Sequence, residues 1–535
     1  MNRSDPGLLD AAIVGAGFAG MFMLHRLRGL GLAVRVFERG GDVGGTWYWN
    51  RYPGARCDIE SMEYSYQFSE ALQQEWEWTE RHATQPEILR YANHVAERFD
   101  LRRDIEFDTE VLGASFDEVA QSWRLELDTG HSVSARFCIM ATGCLSSTNV
   151  PDLPGLDGFE GPTYHTGRWP KEPVDFSGLR VGVVGTGSSG IQSIPLIAEQ
   201  AAHLTVFQRT ANYSIPAGNA PLDPDVVKDI KANYAEFRRL NSLQSPAFGS
   251  RNPKGIGGSA LDATEAVRKA QFDFRWQRGG FGFLGGFDDA LSNRQSNELA
   301  AEYVRERIRE TVTDPKVAEL LCPTQVIGCK RICLDTNYFA TFNRPNVTLV
   351  DLKSSPLRRA SAHGLVTTER EYLLDSIVFA TGFDAMTGTL LRINPHGRGG
   401  RALTEKWEAG PRTFLGLATA GFPNLFLISG PGSPSVLTNM MVSIEQHVNW
   451  IADCIGYLVA HGHSTIEANL DAEDAWVEHV NELAAPTLYP TCNSWYLGAN
   501  IPGKPRVFMP HIGFPPYVER CNAVAAASYE GFTVG

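Results

Sequence analysis

Two glycine-rich loops of the form Gly-x-Gly-x-x-Gly constrain this 535-residue chain more than any other feature. The first runs from Gly15 to Gly20 and the second from Gly185 to Gly190. Each follows an apolar, strand-like run and opens a helical pattern. In that context the glycines permit a tight turn, a close approach of the backbone to a pyrophosphate and the packing of helix on strand. The two loops together predict two Rossmann-like units that hold two dinucleotides at once.

The residues after the second strand of each unit differ. Glu38 follows the strand-like run Ala33 to Phe37, where such folds place a carboxylate on the ribose hydroxyls. The corresponding run in the second unit, His203 to Phe207, leads to Arg209 and Thr210, and a guanidinium suits a ribose 2′-phosphate. We therefore expect FAD at the first loop and NADPH, in preference to NADH, at the second. The alternatives are a plain glycine-rich turn with a surface acid, and a solvated surface arginine.

Chain length and element pattern predict an α/β fold of two Rossmann-like dinucleotide-binding domains, for FAD and NADP, with a helical insertion. Ala-Thr-Gly turns at Ala141 to Gly143 and Ala380 to Gly382 resemble crossings between such domains. Residues 245–259, rich in Gly, Pro and Ser, are predicted to form a mobile loop. The predicted domains are FAD-binding 1–147, NADP-binding 148–215, helical insertion 216–326, NADP-binding 327–382 and FAD-binding 383–535. Predicted helices within the insertion are Pro224 to Ser242, Leu261 to Gln277, Ser296 to Val312 and Asp314 to Leu321.

Charge and cysteine content exclude several classes of protein. A net charge of -13 without a basic block argues against nucleic-acid and membrane partners. Nine cysteines without a Cys-x-x-Cys pair favour a reducing compartment and no disulfide-reductase chemistry, and Cys329 with Cys333 is too sparse for a metal site. Asp5 and Asp10 flank a short apolar stretch, so we expect no signal peptide, and no run is long enough for a membrane span. The expectation is a cytoplasmic protein, a monomer or a weak homo-oligomer.

The segment Phe159 to Pro170 carries the pattern Phe-x-Gly, then His165, then Trp169-Pro170. It resembles the fingerprint of type I Baeyer-Villiger monooxygenases. The resemblance extends over nearly the whole chain and is strongest, in the late blocks, to the phenylacetone-type and steroid-type branch of that family. The other matching blocks are Gly44 to Trp47, Tyr52 to Gly54, Asp58, Lys330-Arg331, Gly430 to Ser435, Asn493 to Tyr496 and Pro502 to Arg506.

The resemblance implies a reaction. NADPH reduces FAD, oxygen adds to give a C4a-peroxyflavin, and this species attacks a ketone so that an ester or lactone forms. Sulfoxidation is a further activity that the same chemistry allows. The implied partners are a small-molecule ketone and O2. Aryl, long-chain, large-ring and steroid ketones all stay open, because Cys144 and Thr438 depart from the nearest family pattern.

The resemblance also assigns two catalytic residues. Arg331 is the fixed cation that stabilises anionic oxygen, and Asp58 is the acid that orients it. A structural alternative for Asp58 is the cap of a helix that begins near Ile59. His165 is expected to couple the two domains by hydrogen bonds and not to transfer protons, and a purely structural histidine is the alternative.

The remaining site residues follow from the loops and from the resemblance. The candidate substrate contacts are Leu145, Val436, Leu437, Thr438 and Met440. The candidate cofactor contacts are Gly15, Gly17, Gly20, Glu38, Thr46, Trp47, Tyr48, Trp49, Arg56, Cys57, Asp58, Tyr64, Thr186, Gly187, Ser188, Ser189, Gly190, Ile191, Gln192, Arg209, Thr210, Lys330, Arg331, Met440 and Trp495.

Three other functions fit part of the pattern. A flavin monooxygenase that acts on nitrogen or sulfur shares the two-loop plan but lacks the Trp-Pro form of the fingerprint. An NADPH oxidase would release hydrogen peroxide, and a redox sensor would bind both nucleotides without turnover. A yellow protein whose NADPH consumption is stimulated by ketones, with ester formed, excludes the last two.

Overall fold

The computed structural model describes residues 7–535, so Asp5 and the first six residues of the predicted FAD-binding domain lie outside the described part. Two sheets with parallel strands at their centres, each flanked by helices, organise the chain. This confirms the predicted α/β fold with two Rossmann-like units. In both units the strand, glycine loop and helix follow one another as the sequence indicates.

The first sheet contains seven strands. Six follow the order β3-β2-β1-β6-β5-β4, and the seventh, β17 (Leu425–Leu427), pairs with Cys138 to Met140 at the end of β6. The strands β1, β2, β3, β6 and β17 run parallel, whereas β4 and β5 are antiparallel additions. Its elements up to residue 140 are β1 Leu9–Val14, α1 Phe18–Gly29, β2 Val34–Phe37, α2 Thr46–Trp49, α3 Glu70–Glu75, α4 Gln85–Arg98, β3 Ile105–Glu106, β4 Val111–Asp117, β5 Ser122–Leu127 and β6 Ser132–Met140.

The second sheet contains five parallel strands in the order β12-β9-β8-β16-β7. The short β7 carries part of the Phe159 to Pro170 fingerprint, so this motif forms one edge of the second unit. A three-stranded antiparallel sheet, β13 to β15, lies between β12 and β16 in sequence. The elements are β7 Thr163–His165, β8 Arg180–Val184, α5 Ser188–Gln200, β9 His203–Gln208, β12 Val347–Asp351, β13 Leu357–Ser361, β14 Gly364–Thr367, β15 Glu371–Leu373 and β16 Ser376–Phe379.

The helical insertion leaves and rejoins the second unit through a pair of parallel strands, β10 and β11. The predicted helix Pro224 to Ser242 is two helices, because the backbone at Asn233 (φ -132°, ψ 33°) is not helical. The predicted helix from Leu261 begins later, at Glu265, where the Thr264 side chain caps it. The elements are β10 Ser214–Pro216, α6 Pro224–Ala232, α7 Tyr234–Ser242, α8 Glu265–Arg278, α9 Arg294–Thr311, α10 Pro315–Leu321, β11 Cys333–Asp335 and α11 Tyr338–Thr341.

The last third of the chain returns to the first unit, where β17 joins β6 and the long helix α14 packs against α1. No helix within residues 7–535 is long and apolar enough to cross a membrane. The elements are α12 Gly388–Ile393, α13 Leu403–Lys406, β17 Leu425–Leu427, α14 Met440–His461, β18 Ile466–Ala468, α15 Leu470–Ala484, α16 Phe514–Ala526 and β19 Phe532–Val534.

One pair of cysteines forms a bond that is rare in the reducing compartment expected from the sequence. Cys329 and Cys492 form a disulfide with a Cα–Cα separation of 5.7 Å, within the usual range. The two residues are 163 positions apart, so no local spacing reveals them. The other seven cysteines are free and buried.

A buried polar cluster joins the insertion to the first unit. Arg238 of α7 donates to the Glu63 carbonyl at 3.0 Å and to Ser65 Oγ at 2.6 Å. The carboxylate of Glu63 accepts from the Gly249 N–H at 2.8 Å. Glu445 of α14 accepts from two backbone N–H groups of the 67–68 segment. Burial raises the pKa of Glu63 and that of Glu445 to about 7, despite these donors and the Arg238 charge.

These two carboxyls predict a loss of stability as the pH rises toward neutrality. Their pKa values in the folded protein exceed the unfolded value, so their stabilising contribution is complete below about pH 4.5 and is lost as the pH rises through about 7. We expect the thermal midpoint to fall between about pH 4.5 and 7.5, with roughly 1–3 kcal/mol from each group. In Glu63→Gln and Glu445→Gln this fall becomes smaller, as calorimetry at several pH values would measure.

Glu97→Gln is the matched control, because this side chain is 75% exposed. It should keep the wild-type pH profile. Parallel profiles for the wild type and both buried-site variants would contradict the assignment.

Candidate active site

Arg331 stands two residues before β11, where the chain returns from the helical insertion. Its guanidinium forms a two-pronged ion pair with Asp58 of the first unit: Nε donates to Oδ2 at 2.6 Å and Nη2 donates to Oδ1 at 3.0 Å. The planar fork of arginine matches a carboxylate in this way and fixes its orientation. The alternative role for Asp58 is wrong, because the next helix along the chain is α3, which begins at Glu70.

The remaining faces of the guanidinium are also fixed. Nη1 donates to the Val436 carbonyl at 3.0 Å, and the guanidinium carbon lies 4.5 Å from the ring centre of Phe281. Ser435, before Val436, adopts φ 41°, a left-handed conformation that is uncommon for a serine. Arg331 is thus held by the first unit, through Asp58 and Val436, and by the insertion, through Phe281. Phe281 was not predicted from the sequence, where its place in an aromatic and glycine-rich run is the only indication of a role.

The charge of Arg331 is maintained in a half-buried site, where its side chain is 24% exposed. Burial opposes the charge, but the Asp58 carboxylate outweighs it and holds the pKa of Arg331 above its ordinary value. A positioned cation in such surroundings stabilises negative charge on oxygen far better than one in water. The arrangement can therefore bind a developing oxyanion.

The first glycine loop is built to hold a pyrophosphate. A Cβ on Gly20 would lie 1.8 Å from the Gly15 carbonyl oxygen, so only glycine allows the helix to approach the strand. No side chain caps α1, which leaves the N–H groups of its first turn for an anion. Glu38, at the end of β2, is buried and accepts from the N–H groups of Ala16 and Gly40 at 2.7 and 2.6 Å.

A second loop packs directly on the first. A Cβ on Gly45 would come within 2.9 Å of the Gly17 Cα, and the short helix α2 follows. Within α2, Trp47 donates through Nε1 to the Tyr64 hydroxyl at 3.1 Å, and the Tyr48 hydroxyl accepts from the Gly41 N–H. Thr46 is exposed, whereas Trp49 is half-buried. These residues border the space in front of α1, which fits the dinucleotide expected there.

The second glycine loop repeats the first with different chemistry. The N-terminus of α5 has no side-chain cap, and the space around Gly187 is open. Arg209 is exposed, and the Lys330 ammonium donates to Asn212 Oδ1 at 3.2 Å. Burial lowers the pKa of Lys330, and the charge of Arg209 lowers it further. Neither cation has a carboxylate partner within residues 7–535, a pattern that suits a phosphate group.

Other residues of the second loop form internal contacts. The Thr186 hydroxyl donates to the Thr210 carbonyl at 3.0 Å, and the Ser189 hydroxyl lies 3.1 Å from that of Thr166 in the fingerprint. Ile191 is buried, and Ser188 is exposed at the start of α5. The fingerprint therefore contacts the nucleotide loop directly.

The fingerprint also joins the two units. Nδ1 of His165 accepts from the Gly167 N–H at 3.0 Å, and Nε2 lies 3.4 Å from the Thr381 hydroxyl. Burial lowers the pKa of His165 to about 4, so the ring is neutral. Trp169 donates through its backbone N–H to the Trp49 carbonyl at 3.2 Å. The hydrogen bonds of His165 thus stay within the second unit, and the bond between Trp169 and Trp49 is the one that joins the two units here.

Two of the predicted cofactor contacts, Arg56 and Gln192, form hydrogen bonds at the boundary between the two units. Arg56 donates to Glu80 at 2.5 Å and to the His82 carbonyl at 2.7 Å. The Gln192 amide donates to the Arg56 carbonyl and accepts from the Tyr52 hydroxyl. Burial raises the pKa of Cys57, so its thiol is neutral. Arg56 and Gln192 therefore set the spacing between α5 and the Asp58 loop.

Two aromatic side chains that the sequence did not predict lie at Arg331. Phe281 covers the guanidinium, and the ring centre of Phe248 lies 5.7 Å from that of Phe281. Thr438 differs from the other predicted substrate contacts, since it is 1% exposed and its hydroxyl donates to the Ser435 carbonyl. Val436 is also buried and contributes its carbonyl to Arg331. Half-buried apolar side chains among the predicted contacts and these two aromatic residues include Leu145, Phe248, Phe281, Leu437, Met440 and Trp495.

Comparisons with known proteins show the family of this chain. Residues 12–245 match the family described as pyridine nucleotide-disulphide oxidoreductase. A Baeyer-Villiger monooxygenase of Pseudooceanicola batsensis is 42% identical over 98% of this chain and 95% of that protein. A phenazine N-monooxygenase of Lysobacter antibioticus is 40% identical over 99% of this chain and 98% of that protein.

A solved structure of an oxidised steroid monooxygenase bound to NADP is 53% identical, with a TM-score of 0.93 over 98% of this chain and 99% of that chain. Identity of this extent over nearly the full length shows the family and confirms the predicted cofactors. The chain belongs to the Baeyer-Villiger monooxygenases, and it is an NADPH-dependent flavin monooxygenase that uses FAD.

Proposed function

We propose that this enzyme inserts one oxygen atom from O2 beside the carbonyl of a hydrophobic ketone and releases an ester or lactone. The proposed ketones are aryl, long-chain, large-ring or steroid compounds, with sulfoxidation as a side activity. The observation that carries the proposal is the Arg331 guanidinium, locked by Asp58 and the Val436 carbonyl where the two nucleotide units meet.

The chain's own residues supply charge, position and exclusion of water. FAD and NADPH, when bound, supply the reducing equivalents and the means to activate oxygen. Arg331 stabilises the negative charge that develops on oxygen, and Asp58 keeps the guanidinium aimed at it. The half-buried apolar side chains of Leu145, Leu437 and Met440, together with Phe248 and Phe281, would favour a ketone with a large hydrocarbon part.

We assign the cofactor contacts as the sequence predicts them. The first unit would bind FAD through Gly15, Gly17, Gly20, Glu38, Thr46, Trp47, Tyr48, Trp49, Tyr64 and Met440. The second would bind NADPH through Thr186, Gly187, Ser188, Ser189, Gly190, Ile191, Arg209, Thr210, Lys330 and Trp495. Arg56, Cys57 and Gln192 would act from the boundary between the units, and the domain bounds stay those predicted from the sequence.

The proposal is tested by product analysis with a panel of ketones. We expect ketone-stimulated NADPH oxidation with close to one ester or lactone formed per NADPH, and the largest kcat/KM for bulky hydrophobic ketones. Aromatic N-heterocycles belong in the same panel, because the phenazine N-monooxygenase is 40% identical. N-oxide as the main product, with no ester from any ketone, would replace the proposal by nitrogen oxygenation.

A second prediction concerns Arg331. Both Arg331→Ala and Arg331→Lys should lower ester formation at least about 100-fold, because the positioned guanidinium is lost. NADPH oxidation with release of hydrogen peroxide should continue. Arg239→Ala, which removes a surface pair with Glu236, is the control and should keep wild-type product yields. The role fails if either Arg331 variant, with full FAD content, forms ester at a comparable rate.

A third prediction concerns coenzyme choice. Replacing Arg209 and Lys330 with alanine, singly and together, removes the cations available to the 2′-phosphate. We expect the KM for NADPH to rise about tenfold or more for the double variant, while the KM for NADH changes little. Steady-state kinetics with both coenzymes measures this preference. Equal effects on NADPH and NADH would place the two side chains elsewhere.

A further inference from the structure

The Cys329–Cys492 disulfide lies beside the site just described. Cys329 is 4% exposed and immediately precedes Lys330 and Arg331. Cys492 is 8% exposed and precedes a turn of helix at Trp495–Leu497. The bond therefore ties the segment that carries the active-site cations to the 488–509 segment, which contains Trp495.

The 488–509 segment reaches the active site by a second contact. The side chain of Tyr496 is 2% exposed and lies near Arg331; burial raises the pKa of the Tyr496 hydroxyl, and the charge and backbone of Arg331 oppose this rise. Opening of this segment would thus uncover Arg331 and move Trp495, which is a proposed contact of NADPH. Because Cys329 lies two residues before Arg331, the disulfide restrains the distance between this segment and Arg331 directly.

Besides the disulfide, the segment is held by the burial of Tyr496, Leu497, Phe508 and Met509 in the core and by a few polar contacts. The Leu488 N–H donates to the Leu291 carbonyl at 2.8 Å, and Asn500 donates to the Phe383 carbonyl at 2.7 Å. Lys504 pairs with Asp384 at 2.5 Å. Within residues 7–535, the disulfide is the one covalent link among nine cysteines.

The remaining thiols are poor partners for exchange with this bond. Burial raises the pKa of Cys144 to about 11 and that of Cys333, four positions after Cys329, to about 12. The thiolate is the attacking species in disulfide exchange, so these groups stay inert. Exchange of the Cys329–Cys492 bond with Cys144 or Cys333 is therefore disfavoured.

We propose that the Cys329–Cys492 pair is a reversible redox site that controls opening of the 488–509 segment and hence the retention of NADP+. The disulfide form keeps the segment against Arg331, and the dithiol form releases it. This inference rests on the proposed function for its oxidant, since an oxygenase that turns over without a ketone releases hydrogen peroxide.

The redox step balances with reagents of defined class. One thiolate attacks hydrogen peroxide to give a sulfenic acid, with the second oxygen leaving as water after protonation. The other thiol then displaces the sulfenic oxygen as a second water and forms the S–S bond. Two thiols and one peroxide thus give one disulfide and two waters, and a dithiol reductant reverses the change by exchange.

The test uses the full-length, FAD-loaded enzyme. Alkylation under denaturing conditions, read by mass spectrometry, should label seven cysteines after peroxide treatment and all nine after reduction. Reduction should increase hydrogen exchange in residues 488–509 and speed NADP+ dissociation about tenfold. Because linkage between equilibria is reciprocal, saturating NADP+ should shift the equilibrium with a small dithiol toward the disulfide by the same factor by which reduction weakens NADP+ binding.

Variants separate the pair from general effects of reduction. Cys329→Ala and Cys492→Ala should behave like the reduced wild type and should not respond to peroxide or dithiol. Cys454→Ala, which removes a free buried thiol on α14, should respond as the wild type does. Equal NADP+ dissociation rates and equal exchange in the oxidised and reduced wild type would overturn the proposal, as would nine labelled cysteines after peroxide.

None of these readouts requires a ketone. Redox-dependent NADP+ release without ester formation would therefore defeat the proposed function and leave the redox site standing. Ester formation with NADP+ release that is independent of the redox state would do the reverse.

Discussion

The ion pair between Arg331 and Asp58 is the interaction on which the site depends. It joins residues 273 positions apart, one at the exit of the helical insertion and one in the FAD-binding unit. Two hydrogen bonds, an ion pair and a third bond to the Val436 carbonyl leave the guanidinium almost no freedom. Each glycine loop is proposed to bind its own dinucleotide, but only the correct spacing of the two units places a cation between them.

Elements at the unit boundary maintain that spacing. The Gln192 side chain on α5 meets Tyr52 and the Arg56 carbonyl, and the backbone of Trp169 meets that of Trp49. The strands β10 and β11 bring the two ends of the insertion together, so that Arg331 lies at a fixed place although more than a hundred residues intervene. Most of these contacts are single hydrogen bonds, which set a geometry without making the boundary rigid.

Much of this arrangement could be predicted from the sequence. The strand, glycine loop and helix patterns predicted both Rossmann-like units. The difference between Glu38 and Arg209, which follow the second strand of each unit, predicted FAD and NADPH as the two cofactors. Both signals are local in the sequence. The break at Asn233 and the contact of Phe281 with Arg331 could not be predicted, since tertiary packing determines both. The Cys329–Cys492 pair was hidden for the same reason. The place of Asp58 beside Arg331 came from family resemblance alone, because no spacing rule joins such distant residues.

In the loop that follows Ser435, a residue that supports the fold lies between two residues proposed to contact the ketone. Asn439 is fully buried, donates to the Glu63 carbonyl and receives the 245–259 loop through a bond from its own N–H to the Pro246 carbonyl. Leu437 and Met440, on either side of it, are half-buried and make no such bonds through their apolar side chains. In the proposed function, variation at these two positions alters which hydrocarbon shapes are accepted while the scaffold of the site persists, whereas variation at Asn439 disturbs the 245–259 loop. Ketone range is thus free to diverge between relatives that keep the same oxygen chemistry.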